Sequence, residues 1–132
     1  MQEEIDLAKQ WLNKADNDLL NADNNLCSQN IPFDTVCFHC QQAAEKMLKA
    51  YLVANKKPYP LTHDLLLILE EILLLDSGAE ELRDALALLT PYAVEIRYPD
   101  DLYMPSCEDA TEAREAATRI RLWLKNACPS LW

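Results

Sequence analysis

The chain has 132 residues, half of them hydrophobic, and 22 acidic against 12 basic side chains, for a net charge of −10 with histidine neutral. Such a length and apolar content suit one domain with a packed core and exclude a disordered chain. The negative charge disfavours binding of long nucleic acid, because it repels phosphate backbones. The single glycine argues against a many-stranded β fold and favours long helices.

The cysteines and the N-terminal residues indicate the compartment. Five cysteines at irregular positions and an acidic, amphipathic start without a secretory signal predict free thiols in a reducing cytoplasm. The most apolar stretch, "LLLILEEILLL", is interrupted by Glu70 and Glu71, well short of the roughly 18 apolar residues that a membrane span requires. We therefore expect neither a membrane span nor a membrane partner.

Apolar residues recur every three or four positions over residues 4–26, which predicts a long amphipathic helix. The stretch "SQNIPFD" ends it, and a second helix is predicted from Phe33 or Asp34 to about Asn55. A loop with two prolines, "KKPYPLTHD", precedes a third helix at 64–75, for which Thr62 is the expected N-cap and Asp64 the alternative.

The second half of the chain predicts two more helices. Gly78 is the expected left-handed cap of the third helix. A fourth helix is predicted over 79–97, kinked or restarted at Pro91 with Thr90 as the new cap, and stopped by Pro99. The last helix is predicted over 108–127. Five helices with short loops predict an all-α antiparallel bundle, with residues 1–132 as a single domain.

The second helix carries a polar stripe within "HCQQAAEKMLKAYL". At about 100° per residue, four polar side chains fall within an arc of roughly 80°: His39, Gln42, Lys46 and Lys49. One interpretation is a solvated helix face. The other is a basic, hydrogen-bonding ridge that holds a phosphate or an acidic partner surface. Phe38 and Val53 lie near the stripe, which favours cover by a second subunit, and Glu45 is placed to pair with Lys49.

The stretch "CFHC", residues 37–40, raises the question of a metal site. Zinc normally takes four Cys or His ligands in two short pairs. Cys37 and Cys40 lie one helical turn apart and both project into the apolar half of the helix, and no second pair is available. We therefore predict buried thiols, no bound metal and no cofactor.

Three stretches, "HCQQAAEKMLKAYL", "LTHDLLLILEEI" and "TPYAVEIRYPDD", resemble the HEPN domain in order and spacing. HEPN domains are small prokaryotic helical bundles that are often encoded beside a minimal nucleotidyltransferase. The resemblance runs from about residue 5 to 126. It implies a bundle of about five helices, a homodimer formed along the helices that carry the functional face, and a nucleotidyltransferase as partner.

The resemblance also implies a test for catalysis. Many HEPN proteins are metal-independent ribonucleases that use an arginine followed four to six residues later by a histidine. Arg97 matches the family's arginine, but Asp101, Leu102 and Tyr103 occupy the positions where the histidine would stand, and no histidine follows His63. The ribonuclease motif is absent, and histidine is the side chain suited to acid–base chemistry near neutral pH.

The resulting hypothesis is a non-catalytic, cytoplasmic HEPN-type binding protein, the accessory partner of a minimal nucleotidyltransferase in a toxin–antitoxin-like pair, with a nucleotide as a further candidate ligand. The predicted ligand- or partner-binding residues are His39, Gln42, Lys46, Lys49, Arg97 and Tyr98. The alternatives are a divergent metal-independent ribonuclease toxin, in which His39 or His63 takes the catalytic role, and a purely structural dimer.

Overall fold

The computed structural model describes residues 2–93 and 104–132. These residues form five α-helices joined by short turns and 3-10 segments, and the described part of the chain contains no β-strand, so the predicted all-α fold is confirmed. The helices are α1 Gln2–Leu26, α2 Phe33–Ala54, α3 Leu65–Leu73, α4 Arg83–Leu89 and α5 Cys107–Ala127. The 3-10 segments are Ser77–Leu82, Thr90–Ala93 and Pro129–Leu131.

Helix α2 lies at the centre of the bundle, in contact with α1, α3, α4 and α5. Fourteen of its 22 residues are buried, which a helix reaches only when neighbours cover most of its circumference. Small residues make this possible: α1 presents Ala8, Ala15 and Ala22 at seven-residue intervals, all fully buried. Leu12 and Leu19 fall between them, so the α1 seam alternates four and three residues, the spacing of closely packed antiparallel helices.

The start of α3 differs in detail from the expectation. Asp64, not Thr62, is the N-cap, and its Oδ1 accepts a hydrogen bond from the Leu66 amide at 3.0 Å. The Thr62 hydroxyl oxygen accepts instead from the Asp64 amide. The side-chain oxygens of Thr62 and Asp64 therefore both accept from backbone amides at the start of α3, where those amides have no partner within the helix.

The expected left-handed cap at Gly78 is wrong. Gly78 lies in the 3-10 segment without positive φ, and its amide donates to Asp76 Oδ1 at 2.8 Å. The positive φ in the described residues belongs to Lys56, at 59°, just after α2. Helix α3 ends at Leu73, and Asp76 caps the following 3-10 segment through its side chain, so no left-handed glycine is needed there.

The long fourth helix was also wrong within the described residues. Residues 77–82 are 3-10 helix, and α4 covers only Arg83–Leu89 before a second 3-10 segment, Thr90–Ala93. The predicted interruption at Pro91 is confirmed: α4 ends at Leu89, because Pro91 has no amide hydrogen for the Ala87 carbonyl and its ring crowds that carbonyl. The Thr90 hydroxyl donates back to the Leu86 carbonyl instead of capping a new helix. Residues 94–103, with the predicted end of this helix, lie outside the described residues.

Helix α5 is fixed at its start and along its length. Ser106 and Asp109 form a capping box, with hydrogen bonds of 2.9 and 3.0 Å between backbone and side chain. Further along, two arginines on α5 each form a bidentate ion pair with an aspartate on α1: Arg114 with Asp23 and Arg121 with Asp16. These paired contacts set the register of the last helix against the first.

Two further expectations concern burial. Cys37 and Cys40 are fully buried, as predicted, and burial raises the pKa of each thiol to about 12. No helix among residues 2–93 and 104–132 combines the length and apolar character needed to cross a membrane.

Candidate functional site

The polar stripe of α2 faces the seam with α1 and the loop at residues 55–64, within the same chain. The side chains of His39, Lys46 and Lys49 are only 18%, 24% and 10% exposed. The interpretation as an ordinary solvated face is therefore wrong for these three. Their positions raise a physical question instead, because charges removed from water require partners.

Asp18 on α1 is the first of these partners. It is 9% exposed, and its carboxylate accepts hydrogen bonds from His39 Nδ1 at 2.9 Å and from Lys46 Nζ. Since a carboxylate only accepts, Nδ1 of His39 carries the proton and Nε2 is left as the other ring nitrogen. Sequence reasoning missed Asp18, although an acid beside the apolar seam of α1 was a visible signal.

Glu45 on α2 is the second partner. It is 5% exposed, and it accepts from Lys49 Nζ at 2.9 Å and from His63 Nδ1 at 2.8 Å. Burial alone would raise the pKa of Glu45, but the hydrogen bonds and charges of Lys49 and His63 outweigh it and hold that pKa below its usual range. The predicted pairing of Glu45 with Lys49 is confirmed.

The two glutamines link α2 to the loop before α3. Gln42 Nε2 donates to Gln41 Oε1 at 2.7 Å, and Gln41 Nε2 donates to the carbonyl of His63 at 3.1 Å. Gln41 is fully buried and was not among the predicted site residues. Gln42 thus helps to hold the loop, and it stays part-exposed at the edge of the same cluster.

Lys49 is further enclosed by two aromatic rings. Its Nζ lies 5.6 Å from the ring centre of Trp11 and 5.1 Å from that of Tyr59, distances at which a cation is attracted to a ring. Lys49 is therefore an internal cation, held by Glu45 and two rings. It does not face solvent as a docking residue would.

These residues form two neighbouring sets of ion pairs, Asp18 with His39 and Lys46, and Glu45 with Lys49 and His63, which we call together the ionic cluster. Its two carboxylates balance its two lysines. Lys46 retains donors beyond the one given to Asp18, and the His63 side chain is 69% exposed, so these two can meet a ligand. Arg97 and Tyr98, the other predicted site residues, lie outside the described residues.

Two neighbouring predictions concern cover and metal. Val53 is 8% exposed and Phe38 is part-buried against the His39 ring, with ring centres 5.3 Å apart. Val53 is thus covered by its own chain, without need of a second subunit. In residues 2–93 and 104–132, no group of three or more His, Cys, Asp or Glu is arranged to hold a metal ion.

The fold, a helical bundle with α2 at its centre and four further helices packed around it, is that of a HEPN domain. The HEPN domain family model matches residues 8–127, and the chain belongs to this family. It is similar to TT1696 from Thermus thermophilus, a protein of known crystal structure, with 28% identity and a TM-score of 0.71 over 90% of this chain and 96% of the other. A comparison with curated proteins found no match.

Proposed function

We propose that this HEPN protein is a binding protein, the accessory partner of a minimal nucleotidyltransferase in a toxin–antitoxin-like pair in the cytoplasm, and that a nucleotide is its small ligand. The observation that carries the proposal is the absence of the family's ribonuclease motif from the sequence, which contains only two histidines. Both are engaged through Nδ1 with buried carboxylates that also hold lysines. Neither follows an arginine in the sequence as the family's ribonuclease motif requires.

The binding surface in this proposal is the exposed edge of the ionic cluster. Lys46, Gln42 and His39 are part-exposed there, next to the seam of α1 and α2. An ammonium, an amide and an imidazole are suited to an acidic or phosphorylated surface. Arg97 and Tyr98 belong to the same proposed surface on the strength of the family resemblance.

Co-expression with a neighbouring nucleotidyltransferase tests the proposal. The two proteins should co-purify, and Lys46→Glu should weaken the complex while Lys125→Glu, the same charge change on the exposed side of α5, should leave it intact. The purified chain should leave RNA uncut. RNA cleavage that Arg97→Ala or His39→Ala abolishes would contradict the proposal.

We further propose a homodimer, the assembly that the family resemblance implies. A chain of 15.1 kDa should sediment at twice that mass at micromolar concentration. A monomer at every concentration tested would remove the dimer from the proposal, without affecting the binding role.

A divergent metal-independent ribonuclease toxin is the second candidate function, and one observation favours it. His63 is exposed, and its Nδ1 is held by the buried Glu45 carboxylate. A carboxylate that orients an imidazole in this way prepares Nε2 for proton transfer. In this case RNA cleavage should be abolished by His63→Ala and reduced by Glu45→Gln.

A further inference from the structure

A cleft opens between the first half of α1, Lys46 of α2 and the loop before α3. Its volume is about 430 Å³, within the range of roughly 300–1,000 Å³ that small-molecule sites occupy. The lining residues are Leu7, Gln10, Trp11, Lys14, Lys46 and Tyr59. The cleft therefore combines apolar, aromatic and cationic side chains, and Lys46 connects it to the ionic cluster.

One wall of the cleft is aromatic and held in place. The rings of Trp11 and Tyr59 meet edge to face, with centres 5.6 Å apart and planes at 79°. Tyr59 stands between Pro58 and Pro60, whose rings restrict the backbone of the loop. Behind the rings, Lys49 attracts both of them. A wall restrained in these three ways loses little freedom when a flat ligand packs on it.

The other side of the cleft is cationic. Lys14 is exposed one turn after Trp11 on α1, and Lys46 gives Asp18 only one of the three donors that an ammonium carries. On a chain with a net charge of −10, two lysines beside an aromatic wall form a local site for an anion.

We propose that this cleft binds a nucleoside phosphate. The base packs against Trp11 and Tyr59 with Leu7 below it, and the phosphates meet Lys14 and Lys46. A plain phosphate would leave the aromatic wall unused, and a neutral aromatic ligand would leave unused the ammonium of Lys14 and the donors of Lys46 that Asp18 does not take. The inference rests on the proposed function, because it locates the nucleotide of that proposal beside the same Lys46.

Calorimetric titration of the full chain with ATP, adenosine and tripolyphosphate tests the site. ATP should bind, and adenosine and tripolyphosphate should each bind at least about tenfold more weakly, a factor equal to roughly 1.4 kcal/mol. Tyr59→Ala and Lys14→Glu should each weaken ATP binding by about tenfold. The first removes a ring that packs against the base, and the second removes a cation that meets the phosphates. Lys125→Glu on α5 is the control for charge and should have no effect.

The outcomes separate this inference from the proposed function. Lys14 is exposed and Tyr59 lies in the loop before α3, whereas Trp11 lies within α1. Tyr59 also packs against the core, so a thermal melt of each variant checks that it folds. ATP that fails to bind at millimolar concentration, or binds equally well to both variants, overturns the cleft proposal. If the chain still co-purifies with the nucleotidyltransferase, the proposed partnership stands. If ATP binds the cleft but no complex forms, the cleft stands and the partnership fails.

Discussion

The ammonium of Lys49 lies 2.9 Å from the carboxylate of Glu45, and these side chains are only 10% and 6% exposed. Such a pair contributes little over an apolar pair of the same shape, but losing one member leaves a charge in the interior without its counter-ion. His63 contributes a second hydrogen bond to Glu45. Removing either Lys49 or Glu45 alone should therefore destabilise the fold.

Replacing Lys49 by Met should lower the free energy of unfolding by about 3 kcal/mol, the lower end of the range for a broken buried pair. The lower end applies because Glu45 keeps its hydrogen bond with His63, and because Met retains the apolar stem. Urea unfolding followed by circular dichroism measures the change.

The control for Lys49→Met is Lys57→Met, on the exposed loop after α2, which should change stability by less than about 0.5 kcal/mol. Equal effects of the two substitutions would contradict the described burial of the Lys49 pair.

Glu45 should make stability depend on pH in the acid range. Its pKa lies below its ordinary value of 4.5 in the folded protein, in spite of burial, because Lys49 and His63 favour the charged form. A depressed carboxyl contributes stability that is fully present above the unfolded pKa and lost as the pH falls through the folded pKa. The free energy of unfolding should therefore fall below about pH 4.5, and Glu45→Gln should flatten that fall.

Unfolding curves at a series of pH values from about 7 to about 3 measure this dependence. Glu71→Gln, an exposed carboxyl on α3, is the matched control and should leave the acid slope close to that of the wild type. A Glu45→Gln variant with the wild-type slope would show that Glu45 does not carry the effect.

The fold followed from the sequence because apolar periodicity reports helix faces directly. The α1 seam of Ala8, Leu12 and Ala15 and the pair of Glu45 with Lys49 were visible in spacing alone. The environment of Lys49 was not, because one helix wheel cannot show that α1 and the loop at Tyr59 cover the polar side of α2. For the same reason Asp18 and Trp11, which sit on another helix, escaped prediction. Whether a polar stripe is exposed to solvent or buried depends on which other elements of the fold pack against it.

The two arginine–aspartate pairs between α5 and α1 should couple weakly. Arg114 and Asp23 are 25% and 49% exposed, so water screens the attraction between their charges although the geometry of the pair is favourable. A double-mutant cycle with Arg114→Gln and Asp23→Asn should give a coupling of about 0.5–1 kcal/mol. Near 1 M salt the coupling should shrink, because the Debye length falls to about 3 Å. A coupling of zero at low salt would contradict the expected contribution of this pair to stability.

The thiols should divide into two reactivity classes. Cys37 and Cys40 are buried, and loss of solvation raises each pKa to about 12, with nearby acids such as Asp109 adding to the shift at Cys37. The thiolate is the reactive form, so neither should react at neutral pH in the folded protein. Cys27 and Cys107 are exposed and should be alkylated within minutes. Iodoacetamide labelling followed by peptide mass spectrometry should show Cys37 and Cys40 modified only after denaturation. If the folded protein were labelled at Cys37 and Cys40 as fast as at Cys27, the buried arrangement of α2 would be contradicted.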